Sequence, residues 1–170
     1  GSDTKQGTRL VDDRNFKVNE IEDVWKVFIA DRTGFTTKLE KQTDGTWLLD
    51  EQYEAYDNAM VNLLDAIERI EMQFIPANAS VPTMVKNLAS EGIHVELFNR
   101  SGKKTKGYYI GGSTQDERGT YAILEDAEQP YVVHIPGWSG NIRFRYNLID
   151  QEWRTKKMFF TPVEKIKLAS

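Results

Sequence analysis

The chain has 170 residues, with 22 Lys and Arg, 26 Asp and Glu, two His and no Cys. The absence of Cys excludes disulfides, thiolate metal sites and Cys nucleophiles, and a net charge of -4 argues against a nucleic-acid-binding protein. No apolar run approaches the ~20 residues of a membrane span, and the length suits one domain. These features predict a soluble globular unit.

The two ends differ from the interior. Residues 1–15 are polar and begin with Gly1-Ser2, the pair left when a protease removes a tag, so they predict a flexible lead-in after a removed tag or anchor, or an ordinary frayed terminus. Residues 16–160 are expected to form a single α+β domain. Val24–Asp31 and Val163–Ser170 share the pattern V-x-K-(V/I)-x-(I/L)-A, so 161–170 are interpreted as the start of a second repeat, with chance recurrence as the alternative.

The first third of the chain is rich in β-branched and aromatic residues. Val24–Ala30 is apolar at nearly every position and predicts a central strand. Asp31–Gly34 supplies a turn, and Phe35–Lys41 returns as a second strand. Asp44-Gly45 is a strong hairpin signal, and it leads into a third strand over Thr46–Leu49. The three segments predict a meander.

The period then changes to that of helices. From Tyr56 to Ile70, apolar residues recur at helical spacing with polar residues opposite, which predicts one main amphipathic helix packed on the sheet. A second, short helix is predicted from about Thr83 to Ser90, ending near Gly92.

Alternating patterns return in the second half of the chain and predict four strands joined by short connections. The fold class expected is therefore α+β with mostly antiparallel sheet and the order βββ-α-α-ββββ, followed by a helical turn within 137–146 and an irregular stretch around Trp153. The four strands are Ile93–Phe98, Thr105–Ile110, Thr120–Leu124 and Tyr131–Ile135.

Two segments are candidates for ligand binding. Gly111–Gly119 has glycines at both ends and polar residues between, a composition that suits a phosphate-binding loop. Because it leads into a strand rather than a helix, we interpret it as a hairpin connection, with ligand binding as the alternative. The second segment is Pro136–Gly140, in which Trp138 offers a stacking surface. His134, shortly before it, is expected to be buried and hydrogen-bonded. The candidate ligand-binding residues are Ser113, Thr114, Asp116, Arg118, His134 and Trp138.

Residues suited to catalysis or metal binding are few. His94 and Glu96 leave the same face of a strand, which suits a hydrolytic dyad or half of a metal site, although the polar outer face of a strand uses that spacing more often. No third ligand stands at metal spacing from either His. The sequence therefore predicts no metal site, no cofactor and no catalytic residue, with an acid–base hydrolase using His94, Glu96 or Asp116 as a minor alternative.

Short pieces spread from about Val24 to Phe160 together resemble the bacterial family called domain of unknown function 4340, particularly its Bacteroidetes-like members. They include Asp44-Gly45-Thr46-Trp47, Glu68-Arg69-Ile70, Lys86-Asn87-Leu88, Gly92-Ile93, Tyr109–Asp116, Gly119-Thr120-Tyr121, Pro130–Gly137 and Trp153-Arg154.

The resemblance implies a domain on the periplasmic side of the inner membrane, anchored in its full-length form, near ABC-type export or gliding systems, with no known catalytic residues. We therefore expect a non-catalytic extracytoplasmic interaction module with a protein partner in a membrane assembly, touching the membrane only through an anchor outside this sequence. A domain that binds a sugar, peptide or lipid-like ligand is the alternative.

Overall fold

A computed structural model of the protein describes residues 13–55 and 57–147. Several expectations lie outside the described residues: most of the lead-in over residues 1–15, the irregular stretch around Trp153 and the second repeat at 161–170. No helix among the residues described has both the length and the apolar character needed to cross a membrane.

The fold is α+β, as predicted, with one mostly antiparallel sheet. In this part of the chain the sheet has nine strands: β1 Lys26–Ala30, β2 Thr36–Lys41, β3 Trp47–Leu49, β4 Tyr53–Ala55, β5 Glu71–Phe74, β6 Ile93–Phe98, β7 Lys104–Ser113, β8 Thr120–Leu124 and β9 Tyr131–His134. They pair in the order β4-β3-β2-β1-β6-β7-β8-β9-β5, so two meanders join where β1 meets β6. The helices are α1 Asp57–Arg69, α2 Val81–Glu91 and α3 Arg143–Tyr146, with 3-10 turns at Ile21–Asp23 and Asn78–Ser80.

The order of elements differs from the predicted βββ-α-α-ββββ because two short strands, β4 and β5, are added. Strand β4 has three residues and follows a turn in which Asp50 and Glu51 adopt positive φ without a glycine to signal it. Strand β5 begins directly after α1 and pairs with β9, some sixty positions further along the chain. With three and four residues, both strands are too short for their local sequence pattern to mark them.

The core lies on one face of the sheet. Strands β1 and β6 alternate strictly between buried and half-buried positions, so each has one face in the core. Helix α1 contributes Leu63 and Ile67 to the same core. Phe16, which precedes β1, is buried there against the rings of Tyr108 and Tyr131. The described segment before the first strand is thus part of the packed fold.

Helix α2 covers the opposite face of the sheet, so α1 is not the sole helix packed on it. Its buried residues Met84 and Leu88 lie outside the core cluster. Gly111 alternates with the core residue Ile110 and faces Leu88, and the amide of Gly112 donates a 2.8 Å hydrogen bond to Asn87 Oδ1. Helix α2 covers only the C-terminal end of β7, so the residues of β6 on this face of the sheet remain half-exposed.

Candidate functional site

A groove lies on the outer face of the sheet, where β8, β9 and β5 run side by side. Its floor consists of Tyr121, Val132 and Phe74, which are neighbours across the three strands. Val132 alternates with the core residues Tyr131 and Val133, which places its side chain on this outer face. The row of three apolar side chains ends at Phe74, which is 49% exposed.

Two segments form the walls of the groove. One wall is the stretch from Pro76 to Met84, which contains the 3-10 turn and the start of α2; the other is the turn Thr114–Asp116. The groove encloses about 690 Å³, within the range that binds small molecules or a few residues of a peptide. Its lining is Phe74, Pro76, Ala77, Ala79, Ser80, Thr83, Met84, Thr114, Gln115, Asp116, Tyr121 and Val132.

The turn between β7 and β8 is held by its own hydrogen bonds. The Thr114 hydroxyl donates to Asp116 Oδ1 at 2.6 Å, and the amide of Arg118 donates to the same oxygen at 3.1 Å. The amide of Gly119 donates to the Thr114 hydroxyl oxygen at 3.1 Å. The Thr114 hydroxyl, followed by the Arg118 amide, lowers the pKa of the Asp116 carboxyl below its usual value. The groove therefore has a charged carboxylate at its edge at neutral pH.

Replacing Thr114 by valine should raise the pKa of Asp116 toward that of a free aspartate, because it removes the hydroxyl donor. In the wild type, the lowered pKa stabilises the fold above the unfolded-state pKa, and this contribution is lost as the pH falls through the folded-state value. A carbon-detected NMR titration of the Asp116 carboxyl measures the change, with Ser113→Ala as the control. An unchanged Asp116 pKa in Thr114→Val would contradict the hydrogen bond's role.

The six candidate ligand-binding residues are divided among three places. Thr114 and Asp116 line the groove, whereas Ser113, at the end of β7, and Arg118, in the turn, do not. His134 is half-buried rather than buried, with its Nε2 3.9 Å from Glu71 Oε1 on the neighbouring strand. Trp138 is partly exposed beyond β9, where the Arg145 guanidinium lies 4.7 Å from its ring centre.

The floor of the groove could not be read from the sequence. Phe74 and Val132 become neighbours only because β5 pairs with β9. One local signal is present in the sequence, since two large apolar residues, Phe74 and Ile75, directly precede Pro76. The structure leaves both side chains about half exposed. Adjacent exposed apolar side chains of this kind often mark an interaction surface.

A second cluster occupies the half-exposed outer surface of β6. His94 Nε2 contacts a carboxylate oxygen of Glu125, the residue after β8. The Lys104 ammonium lies 2.6 Å from Glu125 Oε1 and 2.9 Å from Glu96 Oε2. The Tyr109 ring stacks on the His94 imidazole, with centres 4.4 Å apart. Glu125 is 31 positions from His94, so no local spacing reveals it as a partner.

Two irregularities of β7 bring these groups together. A bulge places Lys106 opposite Leu97 but Lys104 opposite Phe98, which turns Lys104 onto the face that carries Glu96. Gly107 lies opposite Glu96, and a Cβ there would fall 2.2 Å from the Glu125 carboxylate carbon. A glycine inside a strand thus gives the Glu125 carboxylate room to lie across the sheet.

Electrostatics within this cluster favour the charged forms of Glu125 and Lys104. Burial raises the pKa of the Glu125 carboxyl, but hydrogen bonds from Lys104 and His94 outweigh it, and the pKa lies below its usual value. Hydrogen bonds to Glu125 and Glu96 raise the pKa of Lys104. The hydrolase alternative needs two of His94, Glu96 and Asp116 within hydrogen-bond reach of each other, but the hydrogen bonds and ion pairs of these three side chains go to other residues.

Comparison with family models, with curated proteins and with solved structures finds no match to this chain. The resemblance to the domain of unknown function 4340 family therefore stays a prediction.

Proposed function

We propose that this chain is a non-catalytic binding module whose groove takes an extended, apolar peptide segment of a protein partner. The main supporting observation is the floor of the groove, where Tyr121 and Phe74 are accessible on either side of the buried Val132 and which is open at the end where Phe74 is 49% exposed. Burying such a ring against a partner contributes roughly 1.5–3 kcal/mol.

The position of β5 favours a peptide over a compact small molecule. Within residues 13–55 and 57–147, β5 pairs with β9 alone and is the last strand of the sheet. An edge strand offers main-chain donors and acceptors to an added extended segment, and alternate side chains of that segment point to one face. A segment added beside β5 would place those side chains next to Phe74.

The polar groups in the groove support binding rather than catalysis. Thr114 and Asp116 hydrogen-bond to each other and to the backbone of their own turn, which makes that turn a rigid wall. The two histidines of the chain do not line the groove, so it lacks the base that commonly activates a hydroxyl nucleophile.

The cellular setting in this proposal comes from the family resemblance. It implies a domain on the periplasmic side of the inner membrane, where the peptide would belong to a component of an ABC-type export or gliding-related assembly. A folded groove that receives an extended segment suits such an accessory role, since a rigid binding site minimises the ordering cost on one side of the complex.

The proposal is tested with peptides selected on the protein itself. Phage-displayed 12-residue peptides are selected on the immobilised wild type, synthesised, and titrated by fluorescence anisotropy against Phe74→Ser and Phe35→Ser. Phe35 is the matched control because it is an exposed phenylalanine, 63% accessible, in the turn after β1. We expect Phe74→Ser to weaken binding at least about tenfold and Phe35→Ser to leave it unchanged.

Equal affinities of the two variants would contradict a peptide site in this groove. A selection that yields no binding peptide, combined with a rise in melting temperature on adding a sugar or fatty acid, would instead favour the small-ligand alternative.

A further inference from the structure

We propose that His94, Glu96 and Glu125 form a binding site for a divalent transition-metal ion such as Zn²⁺, in which the Lys104 ammonium takes the place of the ion when no metal is bound. The site lies on the outer surface of β6, apart from the peptide groove, and it does not depend on the function proposed above.

The donor atoms are already close to a coordinating arrangement. One ligand atom from each of the three residues lies within 4.8 Å of the others. Zinc binds imidazole nitrogen and carboxylate oxygen at about 2.0–2.2 Å, so ligands in a tetrahedral site are roughly 3.4 Å apart. Side-chain rotations of the two glutamates would adjust these separations, with the Glu125 oxygen that contacts His94 Nε2 moving away from it to admit the ion. Three protein ligands leave further positions of the metal for water.

The charge of the cluster favours a doubly charged ion. Lys104 contacts both carboxylates, and one ammonium against two carboxylates leaves one negative charge in excess. A divalent ion in the same place would balance both carboxylates. The Lys104 side chain is 39% exposed, and its long flexible stem allows the ammonium to move into solvent when the ion binds. Metal and Lys104 are therefore competitors for the two glutamates.

The ligand types select the class of metal. An imidazole nitrogen suits zinc and its first-row neighbours, whereas Ca²⁺ and Mg²⁺ prefer sites made of oxygen ligands.

The residues around the cluster restrict the orientation of its ligands. The Tyr109 ring, whose centre lies 4.4 Å from that of the His94 imidazole, restricts the orientation of that imidazole. The absence of a Cβ at Gly107 leaves room for the Glu125 carboxylate to lie over the sheet. Neighbours that orient ligands are a regular feature of metal sites.

The first test uses the two histidines as internal reporters. Because the chain contains no Cys and only His94 and His134, a long-range ¹H–¹⁵N spectrum of the imidazoles shows one set of signals for each. Titration of the wild type with ZnCl₂ should shift the His94 ring nitrogens and leave those of His134 in place. Excess CaCl₂ should not reverse the shift. A shift confined to His134, no shift at all, or reversal by Ca²⁺ would overturn the proposal.

The second test measures the competition with Lys104. Zinc affinity is determined by competition with a chromophoric zinc indicator for the wild type, Lys104→Gln and Lys103→Gln. Lys103 is the matched control because it is the adjacent exposed lysine and does not pair with the cluster. We expect Lys104→Gln to bind zinc about tenfold more tightly and Lys103→Gln to match the wild type. Equal affinities of the two lysine variants would overturn the proposal.

Discussion

Replacing Phe16 by alanine should lower the free energy of unfolding by about 3–5 kcal/mol, the usual cost of deleting a buried aromatic side chain. Phe16 is 1% exposed and packs at 6.1 and 6.3 Å, between ring centres, from Tyr108 and Tyr131. Tyr108 in turn shares a buried 2.9 Å hydroxyl contact with Tyr146 of α3. Loss of the Phe16 ring would leave a cavity where the N-terminal segment, β7 and β9 meet.

Urea denaturation followed by circular dichroism measures this effect. Phe35→Ala is the control, since an exposed phenylalanine in a turn should change the free energy of unfolding by no more than about 0.5 kcal/mol. A Phe16→Ala protein as stable as Phe35→Ala would show that the segment before β1 is not part of the core.

Replacing Gly111 by valine should destabilise the fold by about 1–3 kcal/mol, the range for overpacked sites, and weaken peptide binding in the groove. A Cβ at this position would fall 2.9 Å from Leu88 Cδ2 and 2.7 Å from Asn87 Oδ1. Both atoms are side-chain ends of α2 residues, so the added side chain would displace the Leu88 packing and the Asn87–Gly112 hydrogen bond that hold this helix on β7. Met84, on the same helix, lines the groove, and its displacement would alter one wall.

A double-mutant cycle with Leu88→Ala separates this explanation from a general intolerance of side chains in β7. Leu88→Ala removes the group that the new side chain would meet, so the two substitutions should be less destabilising together than the sum of their separate effects. Strict additivity in urea denaturation would contradict the close packing of α2 on Gly111.

The sequence predicts those parts of the fold in which neighbours in the chain are neighbours in space. The hairpin at Asp44-Gly45 lies between β2 and β3, and the helical period after Tyr56 corresponds to α1. Strand β5 was not predicted because Glu71–Phe74, although its polar and apolar residues alternate, has only four residues and no hairpin partner, and its pairing with β9 forms only in the complete sheet.

The same distinction applies to the two sites. Thr114 and Asp116 are recognisable because their turn has local glycines and polar residues, whereas the floor of the groove depends on strands that are distant in sequence. The pairing of His94 with Glu125 depends on the register of β6, β7 and β8, and the addition of Lys104 to their cluster depends on the bulge in β7. Gly107, a glycine inside a strand, was the one local indication of a close approach there.

The most direct test of the proposed function is to locate a bound peptide on the protein. A ¹⁵N-labelled sample is titrated with the tightest peptide from the selection on wild type, and amide shifts are mapped on residues 13–55 and 57–147. We expect the largest shifts along β5 and the groove floor, at Phe74, Tyr121 and Val132, and we expect Phe74→Ser to reduce them. Shifts centred on the opposite sheet edge at β4, or on the His94 surface, would contradict the proposed function.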